Sequence, residues 1–109
     1  TEGGLLNAVV EMAVASEKEL EVDLEKAYVY EESRILCQEY GIDPLGAIAS
    51  GALLLSISPQ DLPYLQKAFQ KASLPIQVIG KVKQGPARVL TKDGKEIHPL
   101  SRDEILKIY

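Results

Sequence analysis

Tryptophan is absent from this 109-residue sequence, and cysteine, methionine, histidine and phenylalanine occur once each. The lone Cys37 excludes an intrachain disulfide and a multi-thiolate metal site, and it suits a reducing compartment. Neither Cys37 nor His98 has a neighbour in sequence with which to build a soft-metal or nucleophile pair, so no metal site is expected. Apolar runs fall well short of the ~20 residues that a membrane span needs, and no signal peptide is visible. The expected setting is the cytoplasm, with no membrane partner. Basic charge is also scarce. A net charge of -4 argues against a nucleic-acid partner, which would call for a basic face. The shortage is uneven: residues 1–80 hold five Lys/Arg against twelve Asp/Glu, whereas residues 81–109 hold seven against four.

What is present is enough apolar residue for one core, 46% of the chain, in a length that suits one domain over residues 1–109. After Gly3-Gly4, residues Leu6, Val9, Val10 and Ala13 recur at the spacing of a helix packed on a core. Glu19-Leu20-Glu21-Val22-Asp23-Leu24 alternates strictly, which predicts a half-buried strand with one acidic and one aliphatic face. Val29, Ser33, Leu36, Cys37 and Tyr40 predict a second helix ending at Gly41, with Cys37 in the core. Asp43-Pro44 suits the start of a short helix. The continuous run Ala52–Ser58 predicts a strand covered on both faces. A helix capped by Ser58 follows, with Leu62, Leu65, Phe69 and Ala72 on its apolar face. Next comes a strand over residues 75–82 with Ile76, Val78, Gly80 and Val82 on one face. A hairpin turning at Asp93-Gly94 and a short helix begun by Ser101 complete the chain. This order predicts a two-layer α/β (α+β) domain, its helices packed on a mostly antiparallel or mixed sheet.

The chemistry-bearing stretch is Thr1-Glu2-Gly3-Gly4. Glycine lets a backbone approach an oxyanion closely, and the free N–H groups of a helix N-terminus favour negative charge. The Thr1 hydroxyl adds a donor. No Gly-Lys-Ser/Thr follows, so this is not a Walker A loop, and no strand precedes it, so it is not a dinucleotide fingerprint. Lys81, Lys83, Arg88, Lys92 and Lys95 form a basic tract that reads as a solvated sheet edge or, more sharply, as a docking surface for an acidic neighbour. Tyr28 and Tyr30 read as packing at the entry to a helix.

Two stretches in order carry a resemblance. TEGGLLNAVVEMA resembles the Asp-x-Thr-x-Gly-Gly-Leu segment that opens the second domain of the aminoimidazole ribonucleotide synthetase (PurM/HypE-like) superfamily. EESRILCQEYGIDPLGAIASGALLLSISPQD is similar to the matching region of its hydrogenase-maturation, HypE-like branch. IQVIGKV fits the next strand of that fold. The resemblance covers nearly the whole chain and implies a PurM C-terminal-domain-like fold. It further implies an enzyme that uses ATP and magnesium to activate an amide-type oxygen by phosphorylation, with Thr1, Gly3 and Gly4 contacting phosphate. Partners implied are an N-terminal ATP-binding domain outside this chain, a second copy forming a homodimer of the intact protein, and a maturation or acceptor protein. Two features depart from the branch: the chain ends at Tyr109 rather than at a reactive cysteine, and Ser50 stands where an acidic residue is usual. Two readings follow. One is the C-terminal domain of an ATP-dependent enzyme, inactive alone and supplying part of a phosphate cleft. The other is a non-catalytic interaction module that docks a partner through the basic tract.

Overall fold

A computed structural model describes residues 2–108. Its elements are α1 (Gly4–Ser16), β1 (Glu19–Val22), α2 (Glu31–Tyr40), α3 (Leu62–Lys71), β2 (Gly80–Lys83), β3 (Arg88–Thr91) and β4 (Glu96–Ile97). Short 3-10 turns span Leu24–Lys26 and Glu104–Ile108. The strands form one mixed sheet in the order β2-β1-β3-β4, so the architecture is the α+β one expected. β1 runs antiparallel to β2 and parallel to β3, and β3 is antiparallel to β4. β2 and β3 are successive in sequence yet lie on opposite sides of β1. The link between them passes the start of β1, where Gly85 lies against the Glu19 side chain.

The alternation of β1 decides the faces. Leu20 and Val22 are buried together with Val89 of β3, and α1 covers them with Val9 and Ala13. A fully buried aliphatic side chain of this size contributes about 1.5–3 kcal/mol, so these five residues are the centre of stability. The opposite face is a ladder of charge. Glu21 pairs with Lys83 and, at 4.0 Å, with Lys81; Glu19 meets Arg88 at 2.9 Å; Lys92 reaches Asp23 at 3.4 Å and Glu25 at 3.5 Å. A one-residue slip of β1 would drive its carboxylates into the aliphatic layer, so core and ladder specify the same register.

Local signals set the ends of the elements. Glycine-like left-handed geometry closes α2 at Gly41 (φ 67°), as expected, and closes α1 at Glu17 (φ 54°), where an L-residue takes that geometry at a cost. Asp93-Gly94 makes the β3–β4 turn, with Gly94 at φ 84° and Thr91 N–H donating to Lys95 O at 2.8 Å.

Several expectations fail for one shared reason. The run Ala52–Ser58 pairs with no strand, and Leu53 is 74% exposed. α2 has no buried residue; Leu36 and Tyr40 are well exposed and Cys37 is only half-buried. Val78 and Val82 are nearly half exposed, and Ile79 instead packs on the core. In each case the residues are apolar as core residues should be, but among the described residues they are covered only in part: Leu54 packs on the core, while Leu53, Leu55, Leu36 and Tyr40 stay exposed. Smaller corrections are local. Asp43 caps a turn rather than a helix, accepting from Leu45 N–H at 2.9 Å. Ser58 begins a turn ahead of α3, which starts at Leu62 and half-buries Leu62, Leu65 and Phe69, while Ala72 is exposed. The last turn starts at Glu104, capped by Asp103 rather than Ser101.

Candidate functional site

α1 begins on two buried glycines, both left-handed, with Gly3 at φ 75° and Gly4 at φ 58°. Glycine takes this geometry without the steric cost an L-residue would meet. The two glycines are needed for different reasons. A Cβ on Gly4 would stand 2.4 Å from the carbonyl oxygen of Ala47 and 2.6 Å from that of Leu45. Glycine at this position therefore lets the 45–47 loop pack onto the helix start, where Leu6 N–H donates to Leu45 O at 3.0 Å. A Cβ on Gly3 would instead meet the side chain of Asn7, 1.9 Å from Nδ2. Gly3 thus holds the outer lip of the loop and Gly4 its packed floor. Thr1 lies outside the described residues.

The Gly3 amide already faces a negative group. Gly3 N–H donates to Asp103 Oδ2 at 2.6 Å, while Asp103 Oδ1 accepts from Ile48 N–H at 3.1 Å and Ile105 N–H at 2.9 Å. Burial pushes the Asp103 carboxyl up. The three amides of Ile105, Gly3 and Ile48 outweigh that and hold it below the usual aspartate range. Nearby, Leu100 N–H donates to Asn7 Oδ1 at 2.7 Å and Glu104 N–H to Gly46 O at 3.1 Å. The segment 100–104 is thereby stitched across the mouth of the glycine loop. Between them lies a cleft of about 320 Å³, walled by Glu2, Gly3, Asn7 and Ile48 on one side and by Leu100–Asp103, Ile105 and Leu106 on the other.

Asp103 and Asn7 were not singled out by the sequence. Asp103 carries the signal of a capping residue before the last turn, but its reach to Gly3 spans 100 positions and has no local signature. The remaining candidates are not brought together. Burial and then the Asp43 charge push the Cys37 thiol up, away from the thiolate that chemistry would require. His98 is exposed, with Nε2 3.3 Å from Glu96 Oε2. Tyr28 and Tyr30 stack edge to face at 5.1 Å, spent on one another. Of the basic tract, Lys81, Lys83, Arg88 and Lys92 are paired with the acids of residues 19–25. Among the described residues no three His, Cys, Asp or Glu side chains are grouped to hold a metal ion, and no helix is long and apolar enough to cross a membrane.

Solved structures that share this fold include three of HypE. Hydrogenase maturation protein HypE in complex with ATP matches with a TM-score of 0.78 at 22% identity, over 94% of this chain and 35% of that one. E. coli HypE matches with a TM-score of 0.69 at 24% identity, over 94% and 34%. HypE in a HypE–HypF complex matches with a TM-score of 0.63 at 22% identity, over the same shares. This chain therefore spans about one third of the length of the HypE chains. No curated protein matches it. The family profile described as AIR synthase related protein, C-terminal domain, matches residues 1–93. That match covers most of the sequence: the chain belongs to the AIR synthase related protein family, as its C-terminal domain.

Proposed function

We propose that this domain supplies the phosphate-facing loop of a HypE-like, ATP-dependent enzyme, with Thr1, Gly3 and Gly4 forming that loop. The observation that carries the reading is the Gly3 amide. It sits at the start of a 13-residue helix, in a cleft, and already hydrogen-bonds an anionic oxygen. A loop that accepts a carboxylate has the donor geometry a phosphate oxygen needs. The fold likeness to a HypE bound to ATP supports the same choice. When bound, ATP supplies the phosphoryl group that activates an amide-type oxygen. The part of this chain is to bind and orient its phosphates: Gly3 through its amide, Thr1 through its hydroxyl, and Gly4 by fixing the loop against residues 45–47. The described residues do not group carboxylates suited to magnesium, so no step through that ion is assigned to this chain.

The uncovered apolar residues of α2 and of the 52–58 run support a covering domain, the N-terminal ATP-binding domain of this reading. A homodimer of the intact enzyme and a maturation or acceptor protein complete the proposed partners; the HypE–HypF complex supports the latter. The test is a titration of the full-length protein with ATP and magnesium. Thr1→Val keeps the shape of the side chain and removes its hydroxyl. A hydrogen bond to a charged group is worth about 1.5–3 kcal/mol, so affinity is expected to fall roughly 10- to 100-fold. Wild-type affinity in this variant, or no ATP binding by the unaltered protein, would contradict the reading.

A further inference from the structure

We propose that Asp103 is an internal competitor of phosphate: its carboxylate occupies the Gly3 amide, so the segment 100–108 latches the loop and ATP must displace it. The inference rests on the reading of the glycine loop as a phosphate contact. Its two oxygens divide the work. Oδ1 accepts from Ile105 and so caps the last turn, and it also accepts from Ile48 N–H, which ties the segment to the loop that packs on the start of α1. Oδ2 serves Gly3 alone, 100 positions away, at 2.6 Å, the shortest of the three bonds. One amide hydrogen cannot be given in full to Asp103 and to a phosphate oxygen at the same time. Two anions at one loop also repel each other. Phosphate therefore binds only the fraction of molecules in which the carboxylate has left, and apparent affinity is lowered by that fraction.

Release of this contact frees more than one side chain. Leu100 N–H on Asn7 and Glu104 N–H on Gly46 are the remaining backbone ties of the segment to α1 and its loop. Arg102 lies on the same segment and lines the same cleft, so movement of the latch also moves a cation relative to the loop. Nucleotide occupancy is in this way coupled to the position of the C-terminal segment.

Asp103→Asn isolates the competing half of the residue. The amide oxygen still accepts from Ile48 and Ile105, while the NH2 group that replaces Oδ2 cannot accept from Gly3. In the full-length protein, ATP titration is expected to show about fivefold or greater tightening. In the unaltered protein, saturating ATP with magnesium is expected to speed amide hydrogen exchange in residues 103–108. The exchange measurement keeps the proposal testable should the variant fail to fold. Unchanged or weaker ATP affinity in a folded Asp103→Asn protein overturns the latch, as does slower or unchanged exchange on adding ATP. Thr1→Val separates this failure from failure of the underlying reading. If that variant loses affinity while the latch results are negative, only the latch falls; if it binds ATP as the unaltered protein does, both fall.

Discussion

Gly80→Ala tests how tightly β2 lies on β1. A Cβ at this position would stand 2.1 Å from the carbonyl oxygen of Glu21 and 3.0 Å from the Cα of Val22. Both are backbone atoms of the neighbouring strand, so no side chain can swing away. An ordinary carbon–oxygen contact is about 3.3 Å or more, so the strands must part by roughly 1 Å at this end. That loosens the Gly80–Val22 end of the ladder and the Asp23 N–H bond to Ile79 O, now 2.7 Å. Overpacking costs about 1–3 kcal/mol and a weakened hydrogen bond about 1 kcal/mol, which together give about 2–4 kcal/mol. Gly94→Ala is the matched control. Gly94 is left-handed at φ 84°, but a Cβ added there would have nothing within 4 Å, so it carries only the conformational cost, about 1–2 kcal/mol. Urea unfolding followed by far-UV circular dichroism compares the two. Equal destabilisation, or a smaller loss at position 80, would refute the close approach of the strands.

Three further predictions use the same assay. Val89→Ala removes a side chain that is 0% exposed and is expected to cost about 2–3 kcal/mol; a loss below about 1 kcal/mol would contradict its place at the centre of the core. Glu17→Gly relieves left-handed geometry at an exposed helix end and is expected to stabilise by about 0.5–1 kcal/mol. The Glu21 carboxyl lies below its ordinary value of 4.5, through its hydrogen bond to Lys83 and then the charges of Lys81 and Lys83. Its contribution is complete above that ordinary value and is lost as pH falls through the lower folded-state value, where the unfolded chain binds more protons. Glu21→Gln is expected to flatten stability against pH in the acid range and to leave the slope unchanged near neutrality.

Legibility of the fold followed the reach of each signal. The alternation of residues 19–24 gave β1, both of its faces and the acidic half of the charge ladder, because a period of two is a purely local pattern. The stripe Leu6, Val9, Val10, Ala13 identified the covering helix for the same reason, and Asp93-Gly94 located the turn. The run Ala52–Ser58 shows where such reasoning stops. Its apolar residues predicted a strand covered on both faces, but pattern alone does not say what would cover them; among the described residues only Leu54 packs on the core, and Leu53 and Leu55 are exposed. α2 misled in the same way: its helical spacing was right and its core assignment was not. At the candidate site, the glycine pair stood out in the sequence for the close backbone approach that glycine allows; its left-handed geometry is visible only in the structure. The separate task of Gly4, packing against the carbonyls of Leu45 and Ala47, was not legible, since it depends on a loop some forty positions away. Asp103 was hidden for that reason too, and so was the pairing of the basic tract, read as a solvated sheet edge or a docking surface, because its acidic partners lie on a strand distant in sequence.

The most direct test of the central claim is an ATP titration of the full-length, ¹⁵N-labelled protein with magnesium present, observed at the amides of Gly3 and Gly4. The account predicts saturable shifts at Gly3 and Gly4 that follow nucleotide occupancy. Binding of ATP with both amides unmoved would contradict it.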